Sequence, residues 1–245
     1  MNSKYDQKVA GFWDRESRDW GDKYGRKTSY FYRRRTFHDF FQSSGLKNAS
    51  ILDYGCGAGD ISFPMLRDGH TVLGVDIAPE MVKKAQSRAA EFDLSARASY
   101  FHINDDVLQM ISARQFDVVI CSSVLEYVPD DMALVRMFQS VLKDGGILLT
   151  SIPDKRSLFC KLDKWMYANQ ELMPRFVPVR KLAYLEIQKR QYDVAAFVRT
   201  LEKMGLRLQG KKYSTIKLQR GLAMEKVSNL PGMGMLAILK FQKTT

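Results

Sequence analysis

Residues 51–60, Ile-Leu-Asp-Tyr-Gly-Cys-Gly-Ala-Gly-Asp, carry an apolar run straight into three glycines at alternate positions. The run 50–53 reads as a buried strand that ends at the glycines, and a helix is expected after them. Glycines at such a junction allow a tight turn and let a ligand approach the backbone. Their spacing discriminates between ligands. A dinucleotide loop needs G-x-G-x-x-G. Counted from Gly55 its last position is Asp60, and counted from Gly57 it is Ser62, so that pattern fails. Carboxylates at Asp53 and Asp60 would also repel a pyrophosphate, whereas they favour a ligand carrying positive charge.

Outward from this loop the chain alternates strand-like and helix-like segments. Residues 71–75 form the next apolar run, and Asp76 closes it, 17 residues beyond Gly59. Residues 79–92 have helical periodicity, with Pro79 in the first turn and Met81, Val82, Ala85, Ala89 and Phe92 on one face. Residues 98–103 are a weaker strand, followed by Asn104-Asp105-Asp106. The run 116–121 (FDVVIC) is β-branched and leads into Cys121-Ser122-Ser123-Val124-Leu125-Glu126-Tyr127-Val128-Pro129. Asp130 or Asp131 caps a helix bearing Leu134, Val135, Phe138, Val141 and Leu142, which residues 143–146 end, and 147–152 is a fifth strand. Strands apolar on both faces and separated by helices imply a parallel sheet covered on both sides. Right-handed crossovers then give a doubly wound α/β fold. Residues 206–215 and 235–241 read as two closing strands after a helix capped by Asp193 and stopped by Gly205.

Four polar clusters therefore fall at carboxyl ends of parallel strands, where this architecture binds ligands. A carboxylate at Asp76 suits a ribose diol, and one at Asp105 or Asp106 suits an adenine amino group. Together the stretches ILDYGCGAGD, VLGVDIAPEMVKKA, FHINDD, FDVVICSSVLEYVPD and LKDGGILLTSIP resemble the class I S-adenosylmethionine-dependent methyltransferases. The resemblance covers residues 48–152 well and runs loosely to the C-terminus. It implies a mostly parallel seven-stranded sheet with an antiparallel last strand, and a transferase that uses S-adenosylmethionine. By the same resemblance Gly55, Cys56, Gly57 and Gly59 line the methionine part of the cofactor, with Ser122 nearby, and Asp53 holds the ammonium side. Asp76 takes the ribose hydroxyls and Ile77 with Met81 sandwiches adenine. Asp105 or Asp106 meets the adenine amino group, with Val107 donating from its backbone. Many members have histidine where this chain has Tyr127.

The 245 residues are expected to form one domain, with a helical cap over 1–47, the cofactor core over 48–152, a helical cap insertion over 153–192, and a C-terminal helix and strands over 193–245. The two caps are rich in aromatic and basic residues and are the expected acceptor-selecting parts. Tyr127 and Tyr32 are the catalytic candidates, and Tyr24, Tyr30 and Arg33 the substrate candidates. Three histidines and three cysteines at wide spacing predict no metal site and no disulfide framework. With no signal segment and no apolar run near the ~20 residues of a membrane span, a cytoplasmic location is expected.

Lys and Arg total 38 against 27 Asp and Glu, a formal charge of +11. Such an excess attracts anionic partners. The reading favoured is a small-molecule methyltransferase acting on a hydroxyl of an anionic acceptor. A membrane-associated lipid or quinone is the alternative, with Trp165, Met166, Tyr167, Leu172, Met173, Phe176 and Val177 as an amphipathic contact. RNA is disfavoured because Ser122-Ser123-Val124-Leu125 stands where a base-methylating NPPY motif would be, and a non-catalytic protein is disfavoured by the intact Asp53, glycines and Asp76. The sequence carries no signal for an oligomeric state.

Overall fold

A computed structural model describes residues 3–18, 20, 29–171, 182–214 and 234–244. Tyr24, Leu172, Met173, Phe176, Val177 and the basic residues at 215–220 lie outside the described residues. Two helices, α1 (Lys4–Ser17) and α2 (Ser29–Gln42), precede the sheet. Then follow β1 (Ser50–Tyr54), α3 (Phe63–Arg67), β2 (Thr71–Asp76), α4 (Pro79–Glu91), β3 (Ala98–His102), α5 (Asp105–Ser112), β4 (Phe116–Ser122), α6 (Asp131–Val141) and β5 (Leu142–Pro153). After β5 come α7 (Leu158–Ala168), a single 3₁₀ turn (Ala183–Glu186), α8 (Val194–Lys203), β6 (Leu206–Ser214) and β7 (Leu236–Lys243).

The sheet has the order β3-β2-β1-β4-β5-β7-β6. Pairing is parallel from β3 through β5, and β7 runs antiparallel to both β5 and β6. The expected seven-stranded doubly wound α/β architecture with an antiparallel last strand is therefore present. Its cause is visible in the strands. Side chains alternate between faces along a strand, and here both faces are apolar. Ile51, Val118, Ile120 and Leu149 pack under α2, α3 and α4, while Leu52, Val119, Cys121 and Leu148 pack against α6 and α8. Leu52 and Leu148 have no exposed surface, so truncating either to alanine costs about 2–5 kcal/mol.

Several boundaries move for local reasons. Phe92 is not on the buried face of α4; it caps the helix C-terminus at 49% exposure. Asp130, not Asp131, is the N-cap of α6, its Oδ1 accepting the Ala133 N–H at 2.8 Å. Residues 105–112 form a helix to which the sequence reading assigns no element, started by Asn104, whose side chain accepts the Val107 N–H at 2.8 Å. The segment 143–146 lies within β5, where the pairing with β4 jumps from Phe116↔Leu142 to Val118↔Ile147.

The sheet order reverses between β1 and β4. Crossovers leave in opposite directions there, so a crevice opens at the carboxyl ends of these two strands. Helix α1 lies across it. A capping box between Ser3 and Asp6 starts the helix, Val9 and Phe12 pack on Tyr127 and Ile187, and the Tyr5 hydroxyl donates to the Ile187 carbonyl. At its other end Asp14 Oδ1 accepts the Glu80 N–H at 3.0 Å. Ala78, the N-cap of α4, has no side chain to do this, so α1 caps α4 from outside.

Candidate active site

The crevice continues into a cavity of 1040 Å³, at the top of the usual ~300–1,000 Å³ range for ligand pockets. One end is built by the glycine loop. Gly55 and Cys56 both donate to the Val75 carbonyl, at 2.7 and 3.0 Å, which folds the loop back over β2. Gly55 has φ +73°, and a Cβ there would lie 2.1 Å from Val124 Cγ2 on the loop after β4. Only glycine permits both the left-handed turn and that approach. Asp76 Oδ2 accepts the Gly57 N–H at 2.7 Å and its Oδ1 accepts the Ala78 N–H at 2.9 Å. The carboxylate is thereby fixed at the cavity wall, with lone pairs left for further donors.

Asp53 is buried beneath this loop and outside the cavity wall. Its Oδ2 has no hydrogen-bond partner among the described residues. Burial, and then the nearby Asp76 and Asp60, push its pKa up to about 7. A buried carboxyl in that state favours a cationic ligand above it. Cys56 is buried and its thiol is raised well above the ordinary value, so it is a packing residue and no nucleophile. Asp60 is fully engaged: Trp20 Nε1 donates to Oδ2 at 2.8 Å and Arg88 donates to Oδ1 at 2.6 Å. Trp20 thus closes the loop from the N-terminal side, 3.8 Å from where a Gly57 side chain would start.

Ile77, Met81 and Ser122 line the cavity. Asp105 and Asp106 do not; both are exposed in the first turn of α5. Val107 also differs from expectation, because its N–H is already donated to Asn104. Ile103, Leu108 and Ser112 form the wall there instead. Gly59 lies outside the wall too, with φ +76° and its backbone against Tyr100.

The other end of the cavity is a chamber between α1, α2, α7 and the loop after β4. Val9, Phe12, Trp13, Tyr30, Tyr127, Met166 and Tyr184 give it a largely aromatic and apolar wall. Tyr127 is edge-on to Trp13 at 5.7 Å, and burial raises its hydroxyl well above the ordinary tyrosine value. Tyr32 is not in the wall. At helical spacing Tyr30, Arg33 and Phe37 share the inward face of α2, and Tyr32 is turned from it, half-buried against Phe31. Arg33 is buried, stands 4.7 Å over the Tyr30 ring and donates to Ser123 Oγ at 2.9 Å. Asp163 accepts from the Tyr184 hydroxyl at 2.8 Å.

Glu126 is the residue that sequence reasoning passes over. It lines the chamber, is 2% exposed, and its Oε2 has no hydrogen-bond partner among the described residues. Burial pushes its pKa up to about 8, against the pull of Arg33 and Ser123. Arg33 is the single Lys or Arg among the described residues of the cavity wall, against Asp6, Glu16, Asp130 and Asp163 around the same chamber. Among the described residues, then, the cavity wall is acidic in balance.

The family model described as a methyltransferase domain matches residues 46–216. A ubiquinone biosynthesis O-methyltransferase of Psychrobacter arcticus is 38% identical over 114 residues, 46% of this chain and 44% of that protein. Its counterpart in Xanthomonas campestris pv. campestris is 33% identical over 157 residues, 64% of this chain and 63% of that protein. The chain thus matches about half to two-thirds of the length of these curated relatives. Among solved structures, the magnesium protoporphyrin IX methyltransferase of Synechocystis PCC 6803, with SAH bound, has the same fold. It superposes with a TM-score of 0.68 over 97% of this chain and 99% of that one, at 18% identity.

Proposed function

The chain belongs to the methyltransferase-domain family, and on that premise we propose that it uses S-adenosylmethionine to methylate a hydroxyl oxygen of a small, largely apolar acceptor. The observation that carries this reading is the continuity of two different chambers in one cavity. One has the Asp76 carboxylate fixed at its wall, and Asp53 buried beneath, around glycines that admit a ligand to the backbone. The other has an aromatic wall with a buried carboxyl and a buried guanidinium. The first suits a cationic, hydroxyl-bearing nucleoside, with Asp76 on the ribose, Ile77 and Met81 at the adenine, and Asp53 below the ammonium group. When bound, S-adenosylmethionine supplies a methyl group that its sulfonium has already activated.

The chain's own contribution is positioning. Holding an acceptor in line with the methyl group and away from water is worth up to about 7–11 kcal/mol of the barrier. Trp20, α1 and α7 close the cavity and exclude water. Tyr30, Tyr127 and Arg33 stand where the acceptor would lie. Tyr24, outside the described residues, remains a substrate candidate from the sequence. The curated relatives bear names from ubiquinone biosynthesis, which supports an aromatic hydroxyl as the accepting group. Among the described residues the wall's acidic balance gives no support to an anionic acceptor. RNA is likewise unsupported, since a phosphate backbone needs several basic contacts and Arg33 is the wall's single basic residue among those described.

A second observation supports acceptors drawn from a membrane. Helix α7 places Leu158, Leu162 and Trp165 on one face, at i, i+4 and i+7, and they are 66%, 49% and 55% exposed. Lys155, Arg156, Lys161 and Lys164 surround them and are exposed. The opposite face of the same helix carries Cys160, Asp163 and Met166 into the cavity wall. A surface-lying helix of this kind suits an anionic bilayer, and no helix among the described residues is long and apolar enough to cross one. This reading puts the protein at the cytoplasmic membrane face. It is tested by incubating the protein with methyl-labelled S-adenosylmethionine and a panel of alkylphenols, alkylcatechols and alkylamines. Label in the oxygen-methylated products supports it, and label confined to the amines contradicts it.

A further inference from the structure

We propose that Glu126 is the proton acceptor for the hydroxyl being methylated, with Arg33 as a positioning residue that anchors its loop through Ser123. The inference rests on the hydroxyl-methylation reading above and deepens it. Three observations place the role here. Glu126 lines the cavity, three residues beyond Ser123 on the loop whose Val124 lies against Gly55 of the glycine loop. It is almost wholly buried, and one of its carboxyl oxygens has no donor among the described residues. An orphaned buried carboxyl oxygen is destabilising, and a hydroxyl-bearing acceptor would supply its missing donor. Finally, Ser123 adopts φ +56°, a left-handed conformation uncommon outside glycine, and its Oγ takes the Arg33 hydrogen bond beside Glu126.

The charged and titratable groups facing Glu126 are few. Arg33 comes from α2, Cys121 from the end of β4, Tyr127 from the next position, and Tyr192 from the segment that returns after α7. Cys121, Tyr127 and Tyr192 are all raised in pKa and neutral at working pH. Against burial the carboxyl is held down by a hydrogen bond from its own backbone, then by the Arg33 charge and a hydrogen bond with Ser123, so loss of Arg33 would carry Glu126 higher. A base that titrates near pH 8 suits a phenolic proton, whose own pKa is near 10.

The step balances as follows. The acceptor O–H proton passes to a Glu126 carboxylate oxygen. The oxygen lone pair forms the bond to the methyl carbon, and the methyl–sulfur bonding pair stays on sulfur, which becomes neutral. Glu126 then returns its proton to water.

The test compares wild type, Glu126→Gln and Arg33→Leu, using hexylcatechol as the acceptor and measuring S-adenosylmethionine affinity in parallel. The expected wild-type kcat/KM rises with pH and levels above about pH 8. Glu126→Gln keeps S-adenosylmethionine affinity within about threefold and KM for the catechol near wild type, but loses about 10²–10⁴ in kcat. Glu126→Asp recovers part of that loss. Arg33→Leu moves the midpoint of the pH profile upward, which a merely structural role would not do. Should Glu126→Gln fail to fold, the direction of the Arg33→Leu shift decides the matter. Wild-type turnover matched by Glu126→Gln, or a pH profile unmoved in Arg33→Leu, overturns the proposal for Glu126 alone. A wild type that binds S-adenosylmethionine but methylates no hydroxyl overturns the underlying reading and this inference with it.

Discussion

Asp53 and Asp76 end neighbouring strands, yet their surroundings separate their tasks. Asp76 is held by two backbone N–H groups, which oppose the rise that burial causes. Asp53 keeps an oxygen without a partner among the described residues and is raised to about 7. An ammonium group binds the ionised form, so affinity for S-adenosylmethionine should fall as pH drops through 7. Titration at pH 8 and pH 6 should show several-fold weaker binding at the lower pH, and Asp53→Asn should flatten that dependence. The same raised groups set the sign of stability. A carboxyl whose folded pKa lies above its unfolded value stabilises fully below the unfolded value and loses that contribution as pH rises through the folded one. For Asp53 and Glu126 the window runs from about pH 4 to pH 8. The melting temperature of the ligand-free protein should therefore decline across it, and Glu126→Gln should decline less. An equal decline in both would contradict the assignment. The glycine loop and Asp76 were legible because turn geometry and strand ends are local. Glu126 was not, because its meaning depends on Arg33, which reaches its loop across 90 residues of sequence.

At the scale of elements, α1 is the part whose contribution is least obvious from its sequence. The sequence assigns its polar residues no partner, but Asp14 caps α4 from outside and Tyr5 reaches the Ile187 carbonyl. Losing a cap costs about 0.5–2 kcal/mol, so Asp14→Ala should lower the melting temperature by a few degrees. It should also weaken S-adenosylmethionine binding modestly, because Met81 and Ile77 flank the start of α4. A change in melting temperature with no change in affinity would separate the cap from the site. In α2 the run 30–35 offered three tyrosines and phenylalanines and three arginines with no marked face. Helical geometry selects Tyr30 and Arg33 and turns Tyr32 away. The motif Asn104-Asp105-Asp106 read as a ligand turn because short polar residues serve loops and helix starts equally; the Asn104 cap resolves it as a helix start.

For the whole molecule, the doubly wound parallel core follows from apolar patterning on both sheet faces and was readable over residues 48–152, whereas the antiparallel last strand was implied by the family resemblance. The meaning of the +11 charge was not readable. The cavity wall is acidic among its described residues, and exposed lysine and arginine cluster instead around the apolar stripe of α7. That placement predicts binding to vesicles containing phosphatidylglycerol and weaker binding to neutral vesicles or at high salt. In a sedimentation assay, replacing both Leu162 and Trp165 with Asp should reduce bound protein at least tenfold while leaving S-adenosylmethionine affinity unchanged. Equal sedimentation of the double variant would return the charge to a solubilising role.

The central claim is that the crevice between β1 and β4 holds S-adenosylmethionine. Calorimetric titration of S-adenosylmethionine into the wild type and into Asp76→Ala measures this directly. The account predicts one site per chain in the wild type and at least a tenfold loss in Asp76→Ala at a temperature where both proteins are folded. No heat of binding in the wild type, or equal affinity in both proteins, would contradict it.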